Sequence, residues 1–434
     1  MIGKSIDALL VVLGLLLAGC SSKEALKGTR EELIVSESDM EMKMENDSSP
    51  VVVESLMEVN SQFTQAHFNS SHCYAPLHLS STLATELWKS PLDFESTPSL
   101  KIAASPIVAE GKVFCIDAAG IVYAFDQSTG KKLWRKSVTI AGKDGQIGGA
   151  IAYDDGRLIV TSSFAEGFCL DAQNGTILWR IKLPAPCKGD GITIHNNKAF
   201  VMCSNSSMHC VDMASGKILW SHSGMMADTT FLGSSCAAVD DGVVYFAYPC
   251  GEVYALLEET GSVIWDAMLS KFSLTNASNA FSHPRASPVV TGGVAYFVSA
   301  NEQTTAFDVK NGKQLWRNDY GGIQTPIVSG NSIFVFNSKS EVVCLNKNTG
   351  KKRWLTNLTT EENELSDWYG MILIKDHLLM TSPNGRVIFL SVYDGKIKKT
   401  ADIGNEENAI SVNPVIANGV MYVLMNCGKI AAYR

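Results

Sequence analysis

Six times along this chain a glycine is followed four residues later by a tryptophan: Gly130/Trp134, Gly175/Trp179, Gly216/Trp220, Gly261/Trp265, Gly312/Trp316 and Gly350/Trp354. Around the first pair the sequence runs from Ala124 through Asp126, Thr129 and Gly130 to Trp134, a pattern of A-x-D-x-x-T-G-x-x-x-W. Successive tryptophans lie 45, 41, 45, 51 and 38 residues apart. A seventh copy, Tyr393-Asp394-Gly395, keeps the turn but has Lys399 at the tryptophan position. A unit of this size cannot bury an apolar face alone, so in-register repetition requires that neighbouring units stack on one another.

Each unit divides the same way. Several open on a Ser-Pro, Thr-Pro or Asn-Pro step, at Ser105-Pro106, Ser287-Pro288, Thr325-Pro326 and Asn413-Pro414. A short apolar run follows, then a turn such as Asp155-Gly156, Asp241-Gly242 or Asn418-Gly419. Two more strands come next, and a Thr-Gly-type turn leads into a fourth strand carrying the tryptophan. Asx-Gly and Thr-Gly supply the positive φ that hairpin turns demand. Four short strands joined by tight turns, repeated every forty-odd residues, describe the blades of a propeller.

The two ends of the chain set the blade count. The last repeat stops at Arg434 before its fourth strand, while Leu87-Trp88 reads as an orphan fourth strand with its own tryptophan. Pairing them closes the ring and removes open sheet edges. The expected fold is therefore all-β: an eight-bladed β-propeller of four-stranded antiparallel blades, with velcro closure by an N-terminal strand, over residues 81–434. Trp88, Trp134, Trp179, Trp220, Trp265, Trp316 and Trp354 are expected to pack each blade against its neighbour.

Ahead of the ring the character changes. Ala8 to Ala18 form an apolar run too short to span a bilayer but right for a signal peptide. It ends in Leu17-Ala18-Gly19-Cys20, which looks like a bacterial lipobox. That motif implies removal of residues 1–19 and acylation of Cys20, and the Ser21 that follows favours sorting to the outer membrane. Residues 20–80 read as an acidic, largely disordered linker. Ten acids and four bases between residues 21 and 60 hold most of the chain's net charge of −8, so the rest is nearly neutral, which argues against a nucleic-acid partner. Deletion of 21–75 is expected to leave the ring folded. His67, His72, Cys73 and His78 cluster in the linker without zinc-site spacing, and no metal is expected there. Of the 11 cysteines, Cys169, Cys210 and Cys344 fall on one repeat position where other copies have alanine, so they read as small buried residues rather than disulfide partners.

These repeats resemble the quinoprotein-like propeller superfamily over most of residues 85–434. One branch holds quinone- and calcium-dependent dehydrogenases; the other is the BamB family of outer-membrane protein assembly lipoproteins. Lipobox, linker, compact blades and velcro strand resemble the second. The dehydrogenases need several converging oxygen ligands for calcium and often a vicinal disulfide, and this chain has neither a Cys-Cys pair nor long insertions. Asp126, Asp171, Asp212 and Asp308 read as turn residues. His195, His209, His222 and His377 are scattered with no adjoining nucleophile pattern. The resemblance implies a non-catalytic scaffold without cofactor, metal or small-molecule substrate. Such a scaffold would be lipid-anchored on the periplasmic side of the outer membrane and dock the barrel-inserting subunit of the assembly machinery. The corresponding loops are Met225 to Ser235 and Lys271 to Ser287, with Phe231, Leu232, Phe272, Phe281, His283 and Arg285 as candidate contacts. This chain departs from the family there: the first loop lacks the family's arginine, and His283 and Arg285 stand where it has acids. A quinoprotein enzyme or a binding module for another envelope protein are the alternatives.

Overall fold

The computed structural model describes residues 46–434 apart from 81, 82, 84, 98–101, 139–148, 188, 226–234, 270–285, 301, 302, 360–367, 404–408 and 411. Among the described residues 32 strands form eight four-stranded antiparallel sheets, the blades of a propeller. Blade 1 runs outward from Ile107–Ala109 through Lys112–Ile116 and Ile121–Asp126 to Lys132–Ser137. We call these positions A to D. Blades 2 to 7 begin at Ile151–Asp154, Ile192–His195, Ala238–Asp240, Val289–Thr291, Ile327–Ser329 and Tyr369–Ile374. Blade 8 takes strands A to C from Val415–Ala417, Val420–Met425 and Lys429–Tyr433, and its D strand is Glu86–Pro91 from the other end of the chain. Trp88 pairs with Ala432 there, so the ring closes as the sequence predicts.

Burial follows position. B and C strands are almost wholly buried, whereas the D strand of blade 1 alternates half-buried and exposed. The apolar core lies between blades: one cluster runs from Ala104 to Ala172 across blades 1 and 2, another from Ala238 to Phe307 across blades 4 and 5.

The repeat pattern has a physical cause at each letter. Each tryptophan sits across the ladder from a small residue: Ala124, Cys169, Cys210, Ala255, Ala306, Cys344 and Ala432 face Trp134, Trp179, Trp220, Trp265, Trp316, Trp354 and Trp88. The indole then crosses to the next blade. A Cβ on Gly130, Gly175, Gly216, Gly261, Gly312, Gly350 or Gly395 would come within 2.5–2.7 Å of the ring from the blade before it. Each indole N–H donates to a carbonyl of that same turn, from Trp88 to Gln127 O at 3.0 Å through Trp354 to Val392 O at 2.9 Å. The aspartate organises the turn. Asp126 Oδ1 accepts from the hydroxyl and N–H of both Ser128 and Thr129, led by the Ser128 hydroxyl, which holds the carboxyl down at about 2. Before proline, the Ser, Thr or Asn ties blade roots together: Cys236 N–H donates to Ser287 Oγ, Ser287 N–H to Thr325 Oγ1, and Gly370 N–H to Asn413 Oδ1.

Lys399 is explained by what it faces. Blade 8 has no C-to-D turn, because its D strand comes from elsewhere in the chain, so no turn glycine awaits an indole from blade 7. The cross-strand partner is correspondingly large, Phe389 instead of Ala or Cys. Tyr433 of blade 8 fills this junction instead, donating its hydroxyl to Ile403 O at 2.7 Å. Lys399→Trp should therefore give no gain in a urea unfolding midpoint; a gain like that of restoring a missing tryptophan elsewhere in the ring would contradict this account.

One expectation needs correction. The sequence places residues 46–80 in a largely disordered linker, whereas the structure packs them on the ring. Their contacts are made by single residues and largely by backbone, which leaves no hydrophobic period to read.

Candidate functional site

Antiparallel blades place all A–B and C–D turns at one end of the ring, and all B–C turns and D-to-A connections at the other. Residues 46–80 lie at the first end. A strap comes first: Asp47 N–H donates to Lys352 O at 2.8 Å, and its carboxylate pairs with the buried Arg353 guanidinium at 3.3 Å. Arg353 stands just before Trp354, a position that is an exposed apolar residue in other blades, such as Leu133 and Leu178. Asn331 N–H then donates to Val52 O.

Residues 60–77 enter the channel mouth and circle it once in blade order. Every A strand meets them at the same register, the residue whose ladder partner lies five positions on. N–H groups of Val108, Tyr153, Val239 and Val290 donate to the carbonyls of Phe63, Thr64, Ser70 and Ser71 at 2.7–3.0 Å, and Ile194 N–H to Gln65 Oε1 at 2.7 Å. On the other three blades the carbonyl serves: Val328 O meets Cys73 Sγ, Leu373 O accepts Leu77 N–H, and Ile416 O accepts Asn60 Nδ2. The innermost strands are sheet edges, and this segment satisfies their free backbone groups.

His72 reaches deepest and is 2% exposed. Its Nδ1 lies 2.6 Å from Pro288 O, so that nitrogen carries the hydrogen, and Nε2 lies 3.5 Å from Cys236 Sγ. His67 sits beside it, ring centroids 5.0 Å apart, with Nε2 at 3.2 Å from Thr325 Oγ1. Beneath them a cavity is lined by Ser105, Thr325, Gly370 and Asn413. The four linker residues do not converge: Cys73 turns to blade 6, and His78 lies near Gly419 of blade 8.

Quinoprotein chemistry would need a calcium site in this channel. Among the described residues no three of His, Cys, Asp and Glu come together. The buried acids are separate and each is engaged: Asp117 by Ala119 N–H, Ile121 N–H and the Tyr123 hydroxyl, Glu166 by Arg180, Glu252 by Met225 N–H and the Tyr254 hydroxyl, Glu258 by His195 and Lys198; the half-buried Asp190 is held by Ser105. The described residues do not fit a calcium-held quinone. The scattered histidines also have local partners: His195 with Glu258, His209 with Ser207 and Ser221, His222 with Tyr248, His377 with Asp376. Ten cysteines from Cys73 to Cys427 are free thiols, and Cys169, Cys210 and Cys344 are fully buried.

The candidate contacts Phe231, Leu232, Phe272, Phe281, His283 and Arg285, and Cys20, lie outside the described residues. What is described are the roots of the two connections. Glu252 Oε2 accepts Met225 N–H at 2.6 Å where the first begins, and Cys236 and Ser287, where the two end, are hydrogen-bonded to each other. Sequence reasoning missed the channel segment altogether. The signal that existed was the Asn60-to-Leu77 run of polar and aromatic residues, too short of charge for a solvated linker.

The family model described as outer membrane protein assembly factor BamB matches residues 83–144 and 118–357. The chain belongs to the BamB family. The BamB of Shigella dysenteriae serotype 1 is 25% identical over 332 residues, 75% of this chain and 82% of that protein. Among solved structures, BamB from Moraxella catarrhalis superposes with a TM-score of 0.68 at 18% identity, covering 81% of this chain and 99% of that one. A europium-containing methanol dehydrogenase reaches 0.67 at 13% identity over 84% of this chain and 89% of that one, so the fold is shared with enzymes and does not by itself assign chemistry. The BamB family match begins after the channel segment.

Proposed function

We propose that this chain is a non-catalytic scaffold of the machinery that assembles outer-membrane β-barrel proteins. The observation that carries the reading is the BamB family match over most of the propeller. The engaged acids and filled channel mouth support a role without cofactor or small-molecule substrate. In this reading residues 1–19 are removed, Cys20 carries the lipid anchor, and residues 20–45 tether a periplasmic ring to the outer membrane.

The partner is the periplasmic part of the barrel-inserting subunit. It docks at the end of the ring opposite the strap, through the connections rooted at Met225 and Ser287. Loops vary while blades hold their geometry, so specificity belongs there. Large aromatic side chains and arginine dominate binding hot spots, which favours Phe231, Phe272, Phe281 and Arg285, with Leu232 and His283 beside them. Phe231→Ala combined with Arg285→Glu is expected to weaken capture of that subunit by about 2 kcal/mol, roughly 30-fold, with the unfolding midpoint unchanged. Undiminished capture by a folded double mutant would move the interface to another surface.

A further inference from the structure

We propose that residues 60–77 are a clasp on the propeller, held shut by a neutral imidazole at His72, and that acid releases it. The velcro strand closes the ring at one junction. The clasp instead touches all eight innermost strands, so it ties the blades together from the channel side.

Three observations make it a poised device rather than a passive filler. First, it is strained: His67, Phe68 and His72 have φ of 59°, 78° and 60°, the left-handed region that residues with a Cβ seldom adopt. Contacts from the surrounding blades must hold it in that shape. Second, His72 is its deepest polar anchor. With Nδ1–H donating to Pro288 O, Nε2 is left to accept from the Cys236 thiol, and Cys236 Sγ is also 3.3 Å from Ser287 Oγ. One neutral tautomer satisfies the whole arrangement. Third, among the described residues no carboxylate is seen paired with the ring. The titratable groups facing it are His67 from the clasp itself and the Cys236 thiol at the root of blade 4; Ser287 and Pro288 of blade 5 offer only a hydroxyl and a carbonyl.

Burial pushes the His72 imidazole from 6.5 down to about 4. The seated clasp therefore prefers the neutral ring. Its contribution is complete above the ordinary imidazole value and is lost as pH falls toward about 4. At pH 5 the balance moves by about 30-fold toward release. The residues His72 touches are the roots that end the two long connections, so seating the clasp also sets those roots from the far end of the channel.

Hydrogen exchange on the full-length mature protein at pH 7.5 and 5.0, corrected for intrinsic rates, tests this without reference to any partner. The amides of Val239 and Val290, bonded to Ser70 O and Ser71 O, are expected to lose at least tenfold protection at pH 5.0. The Arg434 amide, bonded to Thr85 O beside the velcro strand, should not change. His72→Asn keeps a donor for Pro288 O but cannot titrate, and should abolish the loss. Equal protection of the wild type at both pH values, or the same loss in His72→Asn, would overturn the proposal. An NMR titration of the wild type gives a check that needs no variant. Val290 protection should begin to fall below the ordinary imidazole value, with His72 reaching half-protonation lower, at about 4; a His72 that titrates at the ordinary value while Val290 stays protected would also overturn it.

Discussion

Gly216→Ala should destabilise the ring by about 3 kcal/mol or more, while Gly242→Ala costs about 1–2 kcal/mol, although both glycines have the same φ of +72°. Backbone strain is thus common to the pair. What differs is the surroundings: a Cβ at Gly242 meets nothing within 4 Å, whereas one at Gly216 lies 2.7 Å from Trp179 Cδ2. The indole cannot retreat. Its N–H is bonded to Met213 O at 3.0 Å, and it packs against a buried cluster that includes Cys169 of its own blade and Ala199, Val211 and Met213 of the next. Trp179→Ala alone should cost about 3–5 kcal/mol, the usual range for deleting a large packed aromatic residue. In that background the excess cost of Gly216→Ala should disappear, because its clash partner is gone. Urea unfolding of the four proteins gives the cycle. Equal costs for Gly216→Ala and Gly242→Ala would show that the tryptophans do not lock adjacent blades.

Removing the velcro strand should be more damaging still. Deletion of residues 21–45 is expected to leave the ring monomeric and as stable as the mature protein. Deletion of 21–80 takes away the strap and clasp and should lower the unfolding midpoint while the ring stays closed by Glu86–Pro91. Deletion of 21–91 should abolish the soluble monomer. It removes the ladder from Glu86↔Tyr433 to Pro91↔Lys429 and the Trp88 indole that bonds blade 1. It also bares the edge of Lys429–Tyr433, and an exposed apolar edge templates aggregation. Size-exclusion chromatography with light scattering separates these outcomes. If the last two truncations were both monomeric and equally stable, the ring would have to close elsewhere.

How much of this was legible in the sequence depends on how each element is encoded. Blade count and closure were readable because seven indoles need seven small cross-strand partners, and that demand repeats at fixed spacing. The same logic accounts for Lys399, once Phe389 is seen opposite it and blade 8 is seen to lack a turn. The channel segment was not readable. Val108, Tyr153, Val239 and Val290 reach it through backbone N–H groups, which no side-chain pattern records. His72 looked like one member of a loose metal-ligand cluster; its role came from Pro288 and Cys236, both more than 160 residues away along the chain. The acidic tail misled for a related reason. Net charge says that a segment resists burial on average, and 46–80 is held by a few exact contacts such as Asp47 with Arg353 rather than by its average character.

The reading as an assembly scaffold makes a claim about which end of the ring meets the partner, and site-specific photo-crosslinking in native membranes tests it most directly. A probe at Met225 stands at the root of the first long connection; a probe at Val59, 73% exposed, stands on the strap at the opposite end. The Met225 probe is predicted to yield a covalent adduct with the barrel-inserting outer-membrane protein, identified by mass spectrometry, and the Val59 probe none. Capture of that protein from Val59 but not from Met225, or from neither, would contradict the account.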